Sequence, residues 1–193
     1  MSEAKRASIL KAGRNHFLKN GYSGTGVAEI AREADVSTAT LYKHFPSKEV
    51  LFEAVVTDAY IADEHPAPPF EGDIEAFFVG LISRYLRLQF DRQLNALARV
   101  VIAEVPSAPA LAQGLLENYV GARYRTIENT IAQLIERGKL RPHDAHYGAR
   151  FLAGAVRDHF VWPALFDAAA TLPDDTDAVI GRIVRDYLKL YAA

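Results

Sequence analysis

The sequence predicts an all-α chain in two helical parts, and three observations carry that prediction. Apolar residues recur at helical spacing in segment after segment, and no stretch alternates apolar and polar residues as a half-buried strand would. Ser, Thr and Asp stand where these segments begin, and Gly or Pro where they end. The run His65-Pro66-Ala67-Pro68-Pro69 cannot continue a helix, because each proline removes a donor and forces the preceding residue out of the α region. No internal repeat is visible.

The elements follow in order. Ile9, Ala12, Phe17 and Leu18 mark a first helix from Glu3 to Asn20, with Ser2 able to cap it and Gly21 placed to end it. After the turn Gly21-Tyr22-Ser23-Gly24, Thr25 is expected to cap a short helix through Val27, Ile30, Ala31 and Ala34. Asp35-Val36-Ser37 forms the next turn, where Asp tolerates a left-handed backbone better than most residues. Ser37 caps a helix of about two turns, Thr38 to His44, with Leu41 and Phe45 directed at a core. Ser47 caps a fourth helix, with Val50, Leu51, Ala54 and Val55 apolar, running to about Asp63. The domain boundary is placed at the proline run, giving a head of residues 1–48, a connecting helix of 49–65 and a body of 66–193.

In the body, Asp73 caps a helix from Ile74 to Phe90, and Asp91 is expected to cap the next, through Leu94, Leu97, Val101 and Ile102. Ser107 is expected to start one long helix through Leu111, Leu115, Tyr119, Ile127, Ile131 and Leu134 to Gly138. Asp144 caps a helix from Ala145 to about Phe166, with Pro163 near its end. The last helix runs from about Thr176 to Tyr191.

Composition narrows the function classes. At 193 residues, half of them hydrophobic and 24% charged, the chain is an ordinary globular protein of one domain or two modest ones. It has no cysteine, which excludes disulfides and thiolate chemistry. No run of eighteen apolar residues is present, and the N-terminal stretch lacks the apolar core of a signal peptide, so a soluble, cytoplasmic protein is expected.

The net charge of −2 is unevenly shared. Residues 1–48 hold eight Lys/Arg (Lys5, Arg6, Lys11, Arg14, Lys19, Arg32, Lys43, Lys48) against Glu3, Glu29, Glu33 and Asp35, whereas the remainder holds 14 against 20. A basic head on an acidic body is the asymmetry expected when one end meets phosphates. Two short helices joined by a tight turn, in that same head, make a module able to lay its second helix in a DNA major groove. Each individual lysine reads equally well as a solvated surface residue.

The spacing Gly21-Tyr22, Thr25, Val27, Ile30-Ala31, Ala34, Val36-Ser37, Thr40-Leu41-Tyr42, Phe45, Ser47-Lys48-Glu49 and Leu51 closely resembles the N-terminal DNA-binding domain of the TetR family of transcriptional regulators. The segments RVVIAEVPSAPALA and GKLRPHD further resemble the C-terminal domain of its AefR-like subgroup. The resemblance implies a three-helix helix-turn-helix DNA-binding domain followed by a helical-bundle domain that binds a small-molecule effector and dimerises. The implied function is a ligand-responsive regulator, a repressor released from its operator by an inducer, with no cofactor and no catalytic residue.

On this resemblance Thr38 to His44 is the recognition helix, entered at Ser37. Thr25, Thr40, Tyr42 and Lys48 fall to the phosphate backbone, Thr38, Ala39 and Lys43 to base edges, and His44 either reaches a phosphate or packs. Thr25 and Ser37 are needed as caps with or without DNA, and Tyr42 also reads as a half-buried core aromatic. Three departures from the family pattern stand out: Asp35 where glycine is usual, Thr38-Ala39 in place of the more frequent Lys-Gly, and Gly26 where a second hydroxyl residue is common.

In the body the resemblance implies an effector pocket, for which Phe77, Phe78, Leu81, Tyr85, Val101, Glu104, Tyr119, Arg123, Tyr124 and Trp162 combine aromatic walls with a few polar groups. Aromatic residues at helical spacing also read as plain core. Glu104, within an apolar run, wants a partner that Arg123 or a cationic ligand would supply. Homodimerisation through the last two long helices is implied as well, with Phe151, Leu152, Val156, Val161, Ile183, Val184 and Tyr187 at the interface or completing the monomer core. Two rival readings are an all-α metal-dependent enzyme using His143-x-x-His146, which lacks the three or four converging ligands such a site needs, and an architectural DNA-binding protein without a ligand.

Overall fold

The first helix, α1 (Glu3–Asn20), ends where Gly21 turns the backbone left-handed at φ 73°. After it come α2 (Val27–Glu33), α3 (Thr38–His44), α4 (Lys48–Ile61), α5 (Ile74–Asp91), α6 (Leu94–Ala103) and α7 (Pro109–Leu115). They are followed by α8 (Gly121–Glu136), α9 (Ala145–Val156), α10 (Trp162–Phe166) and α11 (Thr176–Tyr191). The computed structural model describes residues 3–61, 70–115, 117 and 120–193, with only the backbone at 61, 111 and 115. The Ser2 cap, the end of the fourth helix near Asp63, the break at residues 65–69 and Tyr119 lie outside the described residues. Among those residues the only extended pairing is an isolated antiparallel bridge, Leu140 with Ala192.

By packing, the chain divides into two compact units that are discontinuous in sequence: Met1–Glu64 with Ala96–Tyr119, and His65–Asn95 with Val120–Ala193. In the first unit α1 packs on α2 and α4, α2 on α3, and α4 on α7. Its core holds Ile9, Phe17, Ile30, Leu41, Leu51, Phe52 and Val55. Phe17 meets Phe52 edge to face at 4.9 Å, a geometry that aromatic quadrupoles favour. A Cβ on Gly13 would stand 3.2 Å from Val55 Cγ2, so this glycine is what lets α1 lie close to α4.

The core of the second unit is built from α5, α8, α9 and α11, around Phe78, Ile82, Ile131, Leu134, Leu152, Ile180, Val184 and Tyr187. Its C-terminus is tied down by the Arg141 N–H, which donates to Tyr191 O at 2.8 Å. His143 Nε2 stands 2.8 Å from the Tyr187 hydroxyl, and its ring stacks on Tyr191 at 3.9 Å.

Several expectations need correction. Thr25 does not cap α2: the residue in the cap position is Gly26, extended and without a side-chain bond, because Thr25 is turned inward. Asp91 does not cap α6 but closes α5, and Arg92 and Gln93 make the turn, with Gln93 left-handed at φ 51°. The long helix expected from Ser107 to Gly138 starts later, with Ser107 in the turn before α7, and between α7 and α8 the described residues Glu117 and Val120 are π-helical. The helix from Asp144 is capped as expected, but it widens at Arg157–Val161 into a π-helical turn, where the Trp162 N–H reaches Arg157 O. That turn immediately precedes Pro163, which has no N–H for the regular i to i−4 ladder.

Candidate nucleic-acid interface

The exposed face of α3 follows from how its two ends are held. At its start the Ser37 hydroxyl oxygen accepts the Thr40 N–H at 3.1 Å, closing one of the donors a helix leaves open. Leu41 and Phe45 are buried beneath the helix, and the Arg6 guanidinium lies 5.6 Å over the Phe45 ring. Helical geometry then turns Thr38, Ala39, Tyr42 and Lys43 to solvent, with Thr40 and His44 half-buried at the flanks. Tyr42 is 47% exposed, so it is no core aromatic within this chain.

The turn between α2 and α3 closes as a Schellman motif. The Val36 N–H bonds to Ala31 O at 3.0 Å and the Asp35 N–H to Arg32 O at 3.3 Å. Asp35 occupies the position where glycine is commonest and is left-handed at φ 54°. Helix α1 braces the same turn, because the Ser8 hydroxyl donates to Ala34 O at 3.0 Å. Asn15 Nδ2 and His16 Nε2 both meet the Glu33 carboxylate, at 2.8 and 2.9 Å.

Lys48, at the start of α4, lies 4.5 Å over the Tyr22 ring and points its ammonium at Ser23 O, 3.4 Å away. The Tyr22 hydroxyl donates to Glu49 Oε1 at 2.8 Å. Burial pushes the Tyr22 phenol up, and the bond to Glu49 and that carboxylate's charge push it further. The Glu49 carboxyl is held below the usual range by hydrogen bonds from its own backbone, from Ser47 and from Tyr22. Thr25 is only 3% exposed, and its hydroxyl faces Gly21 O at 2.6 Å and His16 O at 3.1 Å. Its side chain is therefore a brace inside the module, with no hydroxyl proton left for a phosphate.

The residues expected to form an effector pocket differ in burial and fall in both compact units. Phe78 and Leu81 are buried, with Phe78 edge-on to Tyr187 in the core of the second unit. Phe77, Tyr85, Arg123 and Tyr124 are half-buried in that unit, and Val101 is half-buried in the first. Trp162 is 46% exposed and stacks on Phe166, which is 84% exposed. Glu104 does not take Arg123 as its hydrogen-bond partner: Ser23 and Ser107 hold its carboxylate, while Arg123 donates to Gln89 Oε1 at 2.7 Å. The Ser107 bond first, then those from Ser23 and the nearby Lys48 charge, keep the Glu104 carboxyl below the usual range.

The expected dimer stripe divides in a similar way. Leu152, Val156, Val184 and Tyr187 are core residues of the second unit, so they present nothing to a partner. Phe151, Val161 and Ile183 are half-buried against that core, and the large apolar side chains left exposed in this unit are Tyr147, Trp162, Phe166 and Leu190. Sequence reasoning missed Tyr147, Phe166 and Leu190 there, and in the head it missed Ser8 and Ser23. His143 and His146 do not converge: the first faces Arg141 O and Tyr187, the second Glu128 and Arg150.

Comparison with known proteins matches this geometry. A model of the bacterial regulatory proteins of the TetR family matches residues 9–55, and one of the C-terminal domain of AefR-like transcriptional repressors matches residues 79–193. The HTH-type transcriptional regulator RutR of Escherichia coli K12 is 29% identical over 188 residues, which is 95% of this chain and 82% of RutR. UidR of the same strain is 36% identical over 55 residues, 28% of each chain. Among solved structures, a TetR-family transcriptional regulator from Mesorhizobium loti matches with a TM-score of 0.89 at 24% identity, over 100% of both chains. A TetR-family regulator from Pseudomonas syringae pv. tomato matches at 0.81 and 27% identity, over 100% of this chain and 99% of its own.

Proposed function

The chain belongs to the TetR family of bacterial transcriptional regulators, and from that membership we propose how its residues bind DNA and respond to a ligand. The family comprises DNA-binding regulators rather than enzymes, which removes the metal-enzyme reading of His143 and His146. In the proposal residues 1–48 read DNA, 49–65 connect, and 66–193 bind effector and dimerise. Helix α3 enters a major groove, Thr38, Ala39 and Lys43 meet base edges, and Thr40, Tyr42, His44 and Lys48 meet phosphates. The carrying observation is the division of α3, with Leu41 and Phe45 buried on one side and Thr38, Ala39, Tyr42 and Lys43 exposed on the other. The Ser37 hydroxyl oxygen accepts the Thr40 N–H as the helix cap, and its own proton remains for Thr40 Oγ1 or a phosphate.

One short helix contacts too few bases for useful specificity, so two copies on a twofold axis read half-sites about one helical turn apart. The protein acts in the cytoplasm, where its operator lies. A small molecule bound in the body releases it by favouring a state in which the two modules no longer match the operator spacing.

Selection of bound duplexes from a random pool, followed by gel shift with the winner, tests the DNA reading. A single symmetric site bound by two copies is expected, and no duplex enriched at low salt would overturn it. A thermal-shift screen of small molecules, read against that duplex, then tests release.

A further inference from the structure

Glu104 is the first residue beyond α6, and with 8% of its surface exposed it is the one acidic residue buried among the described ones. An acid so placed needs hydrogen-bond donors, and it finds them 81 residues away in the chain. The Ser23 hydroxyl lies 3.0 Å from both carboxylate oxygens, the Ser23 N–H reaches Oε1 at 3.3 Å, and the Ser107 hydroxyl donates to Oε2 at 2.7 Å. Ser23 belongs to the turn joining α1 to α2 in the DNA-binding module, and its carbonyl faces the Lys48 ammonium.

That turn is stiff. Gly21 is left-handed, a Cβ on Gly24 would meet Asn20 O at 2.5 Å, and the Thr25 hydroxyl bonds back to Gly21 O. Within the first unit the carboxylate thus joins the residue after α6 to the turn beside a proposed phosphate contact.

We propose that Glu104 is a positioning residue for DNA binding: its carboxylate clasps Ser23 and so sets the Gly21–Gly24 turn and Lys48. The clasp rests on the DNA-binding reading above.

The test uses the full chain and a duplex selected by the wild type, read by fluorescence anisotropy, with amide hydrogen exchange at Ser23 read without DNA. Glu104→Ala and Ser23→Ala are each expected to weaken binding about tenfold, as loss of a charge-assisted hydrogen bond would. The double variant is expected to be no weaker than either single one, because both remove the same clasp. Glu104→Gln keeps an acceptor for Ser23 and is expected to fall between wild type and Glu104→Ala. Faster exchange of the Ser23 amide is expected in Glu104→Ala. Should Glu104→Ala fail to fold, Ser23→Ala and Glu104→Gln carry the test, since Ser23 is exposed and glutamine has the same shape. A wild type that selects no duplex overturns both the DNA reading and the clasp. If wild type binds, three results overturn the clasp alone: Ser23→Ala within twofold of wild type, losses that multiply in the double variant, or tighter binding by both Glu104 variants, which would make Glu104 only a like charge toward phosphate.

Discussion

The Lys48 ammonium lies 4.5 Å over the face of Tyr22, whose hydroxyl at the ring's far end is bonded to Glu49. The aromatic ring holds the cation without neutralising it, an arrangement worth about 0.5–1 kcal/mol at an exposed site. Lys48 is thereby positioned at the start of α4 while its charge stays available for an anion.

Lys48→Ala is accordingly expected to weaken binding by a similar factor on every duplex and to lower the slope of log affinity against log salt by about 1. Thr38→Ala is expected to change which base is preferred at one position and to leave the salt slope alone. Anisotropy titrations at several salt concentrations distinguish the two, and a salt slope unchanged in Lys48→Ala would remove that residue from the phosphate face.

Among the described residues, two with side chains hold left-handed backbone conformations, Asp35 and Gln93. That conformation costs most L-residues roughly 1–2 kcal/mol relative to glycine, and less for Asp, whose short side chain bonds locally. Gln93→Gly is expected to stabilise the protein by about 1 kcal/mol and Asp35→Gly by less, each net of the entropy glycine adds to the unfolded chain. Urea denaturation checks the order, which fails if Asp35→Gly gains more.

Leu152→Ala is expected to cost about 2–5 kcal/mol of folding stability, because the side chain is buried in the core of the second unit. Phe166→Ser is expected to leave stability within about 0.5 kcal/mol while weakening self-association seen by sedimentation velocity. The reverse pattern would place Phe166 outside the surface that two copies share.

The Glu104 carboxyl is held below its ordinary value, first by Ser107 and then by Ser23 and the Lys48 charge. A depressed folded value means the unfolded chain binds the proton more readily. The contribution is therefore complete above the ordinary carboxylate range and is lost as pH falls through the lower folded value. The gap in thermal midpoint between wild type and Glu104→Gln is expected to be flat near neutrality and to close in acid. A gap that persists unchanged to pH ~3 would contradict the assigned bonds.

What the sequence made legible is what local chemistry decides. Helix period placed most helices, Ser37, Ser47, Asp73 and Asp144 announced their caps, and Asp35 signalled a left-handed turn. Thr25 was misread because a threonine before a helix looks the same whether its hydroxyl caps the helix or turns inward to Gly21 O. Leu152 and Tyr187 stayed open between interface and core, because an apolar stripe does not declare whether its own chain or a second copy covers it; both are core. The pairing of Ser23 with Glu104 joins positions 81 residues apart, and nothing local to either one points to the other.

The discontinuity of the first compact unit also bears on how operator-reading heads are exchanged between related regulators. A head cut out at the proline run, as residues 1–64, would leave behind Ala96–Tyr119, the segment that packs with it. The α4 surface that meets α7 would be bare, and Ser23 would face a recipient chain without Glu104. A working chimera therefore calls for a two-piece graft, carrying Ala96–Tyr119 with the head, or for a recipient already bearing an acid at the end of its own sixth helix.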